Sequence, residues 1–458
     1  MNTYRKSERG QIVVIFVVAL VALLALTALA IDGSMIMSDR RFAQAGADAA
    51  ALGGAGAAAR EIENAGITYS TFDCSSAAVL DAIDAASQAA IDAAAANNFL
   101  GLANDGDLNP NNETYGVEVL CEDDAASVDR HIDVMTTITS ETSTSFLHLF
   151  NSGPMTNTVT AVVRVRPPTP LAMGNAIVTF SPLWGTKTGG LDFTGGAVLH
   201  VTDGGMFSNS SIRQKGSGSI WVHDGLGDVM DGSVRCLMDC DEFVPGNMDP
   251  DPVDICTAAD NCPGLRIQPI TMPTPACGAN RGAINGSGTY DPGTYSSASI
   301  GNGDVVKLNP GLYCFNGVVK ITGGSLTTVA DADGHLGVTI FLKKANGDWN
   351  ITGGTITLVS PVNADQVTAG SIQGVLLYLE DGNTNEIKIT GNDKGCTGSY
   401  SGLIYGRDAG LYVRGNAADT FNGQILVRYM DNAGTSDMKV SFVDNTNFGD
   451  PTFLDVIR

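Results

Sequence analysis

The hydropathy pattern begins with an unbroken apolar run, Ile12 to Ile31, that holds no charge and a single polar side chain, Thr27. Twenty residues of this kind make a helix long enough to cross the hydrocarbon core of a bilayer. Ile12, Phe16, Leu20, Leu24 and Ile31 are the expected anchor residues. Arg5, Lys6 and Arg9 precede the run and Asp32 follows it, so residues 1–11 should stay cytoplasmic and the bulk of the chain should lie outside. A cleaved signal peptide has a shorter apolar core, and here the helix pattern continues past the membrane. Met35, Phe42, Ala45, Ala49 and Leu52 share one helix face, and alanine-rich sequence runs on to Ala59. A retained anchor is therefore expected, as the first half of one long helix. Ala45, Gly46, Ala49, Gly53 and Gly56 on the outer half would allow close approach of a partner surface. Asp32 is expected in the headgroup layer, since burying its charge in lipid is costly.

Beyond the long helix the pattern changes twice. Ser75 to Asn98 reads as a second helix, capped by Ser75 or Ser76, with Val79, Ile83, Ala86, Ala90 and Ala94 on its apolar face. Tyr115–Leu120, Ile132–Thr139 and Thr158–Val165 read as strands, and Phe146–Phe150 as a helical turn. Pro167, Pro168 and Pro170 mark a boundary, so residues 32–167 form a first exported α+β domain. From about residue 175 short β-branched runs are punctuated by glycine, with almost no helical period between them. Ile321-Thr-Gly-Gly324, Ile351-Thr-Gly-Gly354 and Ile389-Thr-Gly-Asn392 repeat one strand–corner phrase, and Phe193-Thr-Gly-Gly196 and Arg414-Gly-Asn416 are relatives of it. Repeats at this spacing imply stacked turns. Residues 168–458 are therefore expected to form an all-β, right-handed parallel β-helix-like solenoid, with a β-sandwich as the alternative.

Composition adds the setting. The chain carries 49 acidic and 26 basic side chains, a net charge of −23, which repels nucleic acid and keeps an exported surface soluble. All nine cysteines fall beyond the apolar run, and an oxidising exterior favours disulfides over metal thiolates. Cys74 is expected to pair with Cys121 and Cys277 with Cys314. Cys236, Cys240, Cys256 and Cys262 are expected to pair among themselves in a Pro- and Asp-rich surface excursion, 236–277, which leaves Cys396 as the odd thiol.

Glu8-Arg9-Gly10-Gln11, the apolar run, Asp32, Arg41, Gln44 and the block Ala47-Asp48-Ala49-Ala50-Ala51-Leu52 together resemble the N-terminal segment of the TadE/TadG-like proteins of Flp (tight-adherence) pilus assembly. The region 277–445 is similar to the glycine-rich C-terminal regions of such proteins. The resemblance implies a single-pass envelope protein with a structural or accessory role in pilus assembly or surface adhesion, and pilin-like or Tad assembly proteins as partners. Processed type IV pilins carry a Glu five residues into the mature chain. Counting from Gln11, that place is Ile15, which favours an anchor or accessory role over a major filament subunit.

Enzymatic chemistry has weaker support. No Gly-Lys dipeptide exists for a P-loop, no G-x-S-x-G elbow appears, and no cofactor motif is present. Asp105 to Asn111 alternates oxygen ligands as an EF-hand loop does, yet has Pro110 where the glycine belongs. The alternative function is an exported β-helix protein that binds or degrades surface polysaccharide. Its candidates are Asp192, Asp203, Asp224, Asp228, Asp231, His200, His223 and Arg213, with Trp184, Trp221, Trp349, Tyr378, Tyr405 and Tyr412 as sugar-stacking aromatics.

Overall fold

The computed structural model describes residues 11–69, 71–100, 116–123, 130–146, 153–183, 189–223, 233–237, 240, 243–255, 266–391, 396–442, 448–450 and 452–457. The chain divides into two compact units, residues 1–168 with 451–458, and residues 169–450. The last eight residues thus belong with the first unit, whereas the sequence expectation ran the second domain to residue 458.

The first unit is built on helix α1, Gln11–Asn64, and helix α2, Ala77–Ala96. Alanine dominates both, and alanine has the highest helix propensity. Ser76 caps α2 by accepting a hydrogen bond from the Val79 backbone N–H. Both helices bury alanine against each other and against an antiparallel sheet of β1 (Gly116–Glu122), β2 (His131–Thr142) and β3 (Met155–Arg166). The C-terminal strand Phe453–Val456 pairs antiparallel with β3. From Val159 to Arg166, β3 alternates buried and half-buried side chains, the pattern of a sheet with one face on a core. On its other face Arg164 grips Asp133, its neighbour across the ladder, through two hydrogen bonds of 2.8 and 2.9 Å. Cys74 and Cys121 are disulfide-bonded, Cα atoms 5.8 Å apart, and tie the start of α2 to β1.

Among the described residues, the second unit holds a 24-stranded sheet whose pairings are all parallel. A β-sandwich would pair its strands antiparallel, so that alternative is set aside. The pairings fall into three rows. In each, a strand pairs with its counterpart about 20–40 residues on, as Leu326 with Ile356, or Ile321 with Ile351. Side chains facing in from all three rows form one apolar core, with Ile177, Leu199, Ile321, Trp349, Ile389 and Val440 among them.

Spatial order departs from chain order. The last turn of the chain, residues 425–441, pairs with the first, residues 177–202, in all three rows. The chain therefore starts in the middle of the stack and builds outward through residues 205–254. It restarts at Asn280–Asn285 and winds back to the point where it began. The described part of the expected surface excursion has a structural role. Met248–Asp249 and Val253–Asp254 add strands to the rows. Ile267, Ile270 and Met272 then cover the outer side of one row, packing with Val178, Phe207, Phe341, Tyr378 and Tyr405. Asn209 fixes this strap through both the N–H and the C=O of Ile267, at 2.9 and 2.7 Å, and the Tyr405 hydroxyl donates to the Ile270 carbonyl. The Cys277–Cys314 disulfide closes it. Strands such as Val338–Leu342 and Val375–Leu379 are buried at every position because this row has core on both sides.

Candidate anchor and assembly site

Helix α1 has two halves with opposite surroundings. Phe16, Leu20, Leu24 and Ile31 are 46–65 % exposed, and no side chain from Val13 to Ile31 is buried. This is the one described helix long and apolar enough to cross a membrane. From Ala43 onward the helix is folded against protein. Ala43, Ala47, Ala50, Ala51, Ala55, Ala58 and Ile62 are buried, because methyl side chains let α2 and the sheet approach closely. Gly54 lies at a tight point against backbone. A Cβ there would meet the Ala86 carbonyl oxygen at 2.7 Å and Val134 Cγ1 at 2.9 Å.

The expected apolar face is corrected here. Met35, Phe42, Ala45 and Leu52 are exposed, and the buried stripe is rotated from them. Periodicity misplaced the face because it weights large side chains, while the close-packed seam uses small ones. Of the small residues expected to admit a partner, Gly46 faces the Phe99 ring and Gly53 faces Ala93, while Gly56 has open space around it.

Asp32 is covered by protein and is 1 % exposed. Its carboxylate accepts the backbone N–H groups of Ser145 and Phe146, each at 2.9 Å, in the turn after β2. These charge-assisted bonds tether the point where the apolar run ends to the sheet. Its sequence position beside the run made it a candidate, but its partners lie 113 and 114 residues away. Among the other motif residues, Gln44 donates to Asp48 one helical turn on, at 2.8 Å, and Arg41 is exposed. Gln11 begins the helix, while Glu8, Arg9 and Gly10 lie outside the described residues.

Among the described residues, the polysaccharide candidates do not converge on one cleft. Asp192 is 2 % exposed and held by Arg213 at 3.1 Å. Asp203 has a left-handed backbone (φ 60°) and accepts from Ser441. His200 and His223 stack on adjacent strands beside Trp221. Trp349, Tyr378 and Tyr405 are core residues, and Tyr412 lies beneath the Arg414 guanidinium. Trp184, Asp224, Asp228, Asp231 and the loop 105–111 lie outside the described residues. Cys236 and Cys240 are disulfide-bonded, Cys396 is free and buried, and Cys256 and Cys262 lie outside the described residues. Asp331, Asp333 and His335 come close enough to share a cation, in a turn that the Asp331–His335 hydrogen bond of 2.9 Å already holds closed.

The geometry defines a class: a chain whose span-length helix continues without a break into the core of an α+β unit. Residues 10–59 match the family model for putative Flp pilus-assembly TadE/G-like proteins, and the match covers α1 from its start to its buried alanine seam. None of the curated proteins matches the chain.

Proposed function

We propose that this protein is a single-pass envelope protein with a structural or accessory role in Flp/Tad pilus assembly or surface adhesion. The N-terminus is cytoplasmic, which the basic residues Arg5, Lys6 and Arg9 before the span support. Both folded units are extracytoplasmic, where the disulfides would be stable. The second unit is a right-handed parallel β-solenoid, a reading supported by its three rows of parallel pairings. Pilin-like or Tad assembly proteins are the proposed partners.

The observation that carries this reading is the coincidence of the family segment, residues 10–59, with a helix half exposed and apolar, half packed into the first unit. Protease protection of intact cells tests it. Residues beyond 32 should be cleaved from outside, and a residual N-terminal fragment should sediment with membranes. Co-isolation with pilus-assembly proteins after crosslinking should follow. Full-length protein recovered in the cytosolic fraction would overturn the proposal.

A further inference from the structure

Asp32 sets a level. Ile31 is the last residue of the uncharged run, and Asp32 is one residue on, a rise of about 1.5 Å along the helix. Its carboxylate is bound to the backbone N–H groups of Ser145 and Phe146. The turn after β2 therefore lies within one hydrogen bond of the edge of the hydrocarbon layer. The headgroup region beyond that edge is only about 5–7 Å thick on each side. At this level Phe146 presents an apolar side chain, 44 % exposed. Met35, 39 % exposed, and Met37, 59 % exposed, follow on α1 within about 8 Å of Asp32 along the axis. Large apolar side chains beside a bilayer gain free energy by entering its interface. The two backbone hydrogen bonds satisfy the Asp32 charge, so it can stand at the boundary without being stranded there.

We infer that the turn after β2 is a second membrane contact, with Phe146 seated in the interfacial layer of the bilayer and Asp32 holding it there. The inference rests on the reading of α1 as a membrane span. It makes the first unit sit directly on the lipid surface instead of standing off on a free stalk. The orientation of whatever the protein presents would then be set by two points of attachment, not one.

The test uses the full chain in phosphatidylcholine nanodiscs. An environment-sensitive fluorescent amino acid replaces Phe146, Leu24 or Arg60, one at a time. Arg60 is exposed and lies 28 residues past Asp32, about 42 Å along the helix. Lipids brominated near the top of the acyl chain supply the quencher. The probe at 24 should be quenched, the probe at 146 quenched with a blue-shifted emission, and the probe at 60 unaffected. Asp32→Ala should lower quenching at 146 several-fold and leave quenching at 24 unchanged. A probe at 146 that behaves like the one at 60 overturns the inference, and quenching at 146 that persists in Asp32→Ala overturns the holding role. Loss of quenching at 24 as well would overturn the membrane-span reading itself, so the two failures are distinguishable.

Discussion

Asp419 gives the sharpest test of the second unit. Its neighbours across the ladder are Gly398 and Met438, and Met438 is fully buried in the core, so the carboxyl points inward. It is 2 % exposed, and no side chain hydrogen-bonds to either oxygen. Room for it exists because residue 398 is glycine: a Cβ there would collide with the carboxyl and with the Tyr400 ring. The groups facing it are the Tyr400 phenol and the Cys396 thiol. Burial pushes the phenol well above its ordinary range and the thiol up to about 12. Desolvation pushes the Asp419 carboxyl up to about 7, and the Gly398 backbone N–H offsets this only in part. Below a pH of about 4 the group is neutral in both folded and unfolded chains. As pH rises from about 4 to about 7 the unfolded chain ionises and the folded one does not, so stability falls over this window and the loss is complete above it. Three units at about 1.4 kcal/mol each set the loss at no more than ~4 kcal/mol. Asp419→Asn removes the titrating group at nearly constant volume. Hydrogen exchange of strands 396–401 and 417–422 should be alike in variant and parent at the acid end. Toward neutral pH the variant should be increasingly protected. A variant-to-parent ratio that stays constant with pH would refute the reasoning.

The remaining predictions concern other seams. Gly54→Leu forces side-chain bulk into the Ala86–Val134 contact and should destabilise the first unit by about 1–3 kcal/mol, read by thermal denaturation, while membrane insertion is retained. Replacing Cys74 and Cys121 by serine opens the cross-link over a 47-residue separation, and chemical denaturation should show a loss of about 2–4 kcal/mol. Thr169 and Pro170 pair with Asp450 and Gly449, so the chain leaves and rejoins the first unit through adjacent strands. Excising residues 171–448 with a short glycine linker should leave an anchored, disulfide-bonded first unit. Failure of that protein to fold would show that the second unit is not a separable insertion.

Much of the local structure was legible because it is written in short-range chemistry. An uncharged apolar run of bilayer length, alanine-rich helices, a serine cap and glycine-punctuated β-branched runs all act within a few residues. The class of each element follows from them. The same holds for Cys74 with Cys121 and Cys277 with Cys314, which bracket recognisable elements. The buried face of α1 was not legible, since alanine and glycine carry little hydrophobic signal and their burial depends on what packs opposite. Asp32 illustrates this limit. The sequence places a carboxylate at the end of the apolar run, but only the folded sheet brings Ser145 and Phe146 to it. The order of the stacked turns was also beyond reach. Parallel turns carry interchangeable apolar faces, so nothing local says that residues 425–441 close against residues 177–202. Nor does it say that Phe453–Val456 returns to the edge of β3. Sequence determined which elements form, because propensity and patterning are local. Tertiary structure decided their neighbours, because strand pairing and close packing join residues hundreds of positions apart.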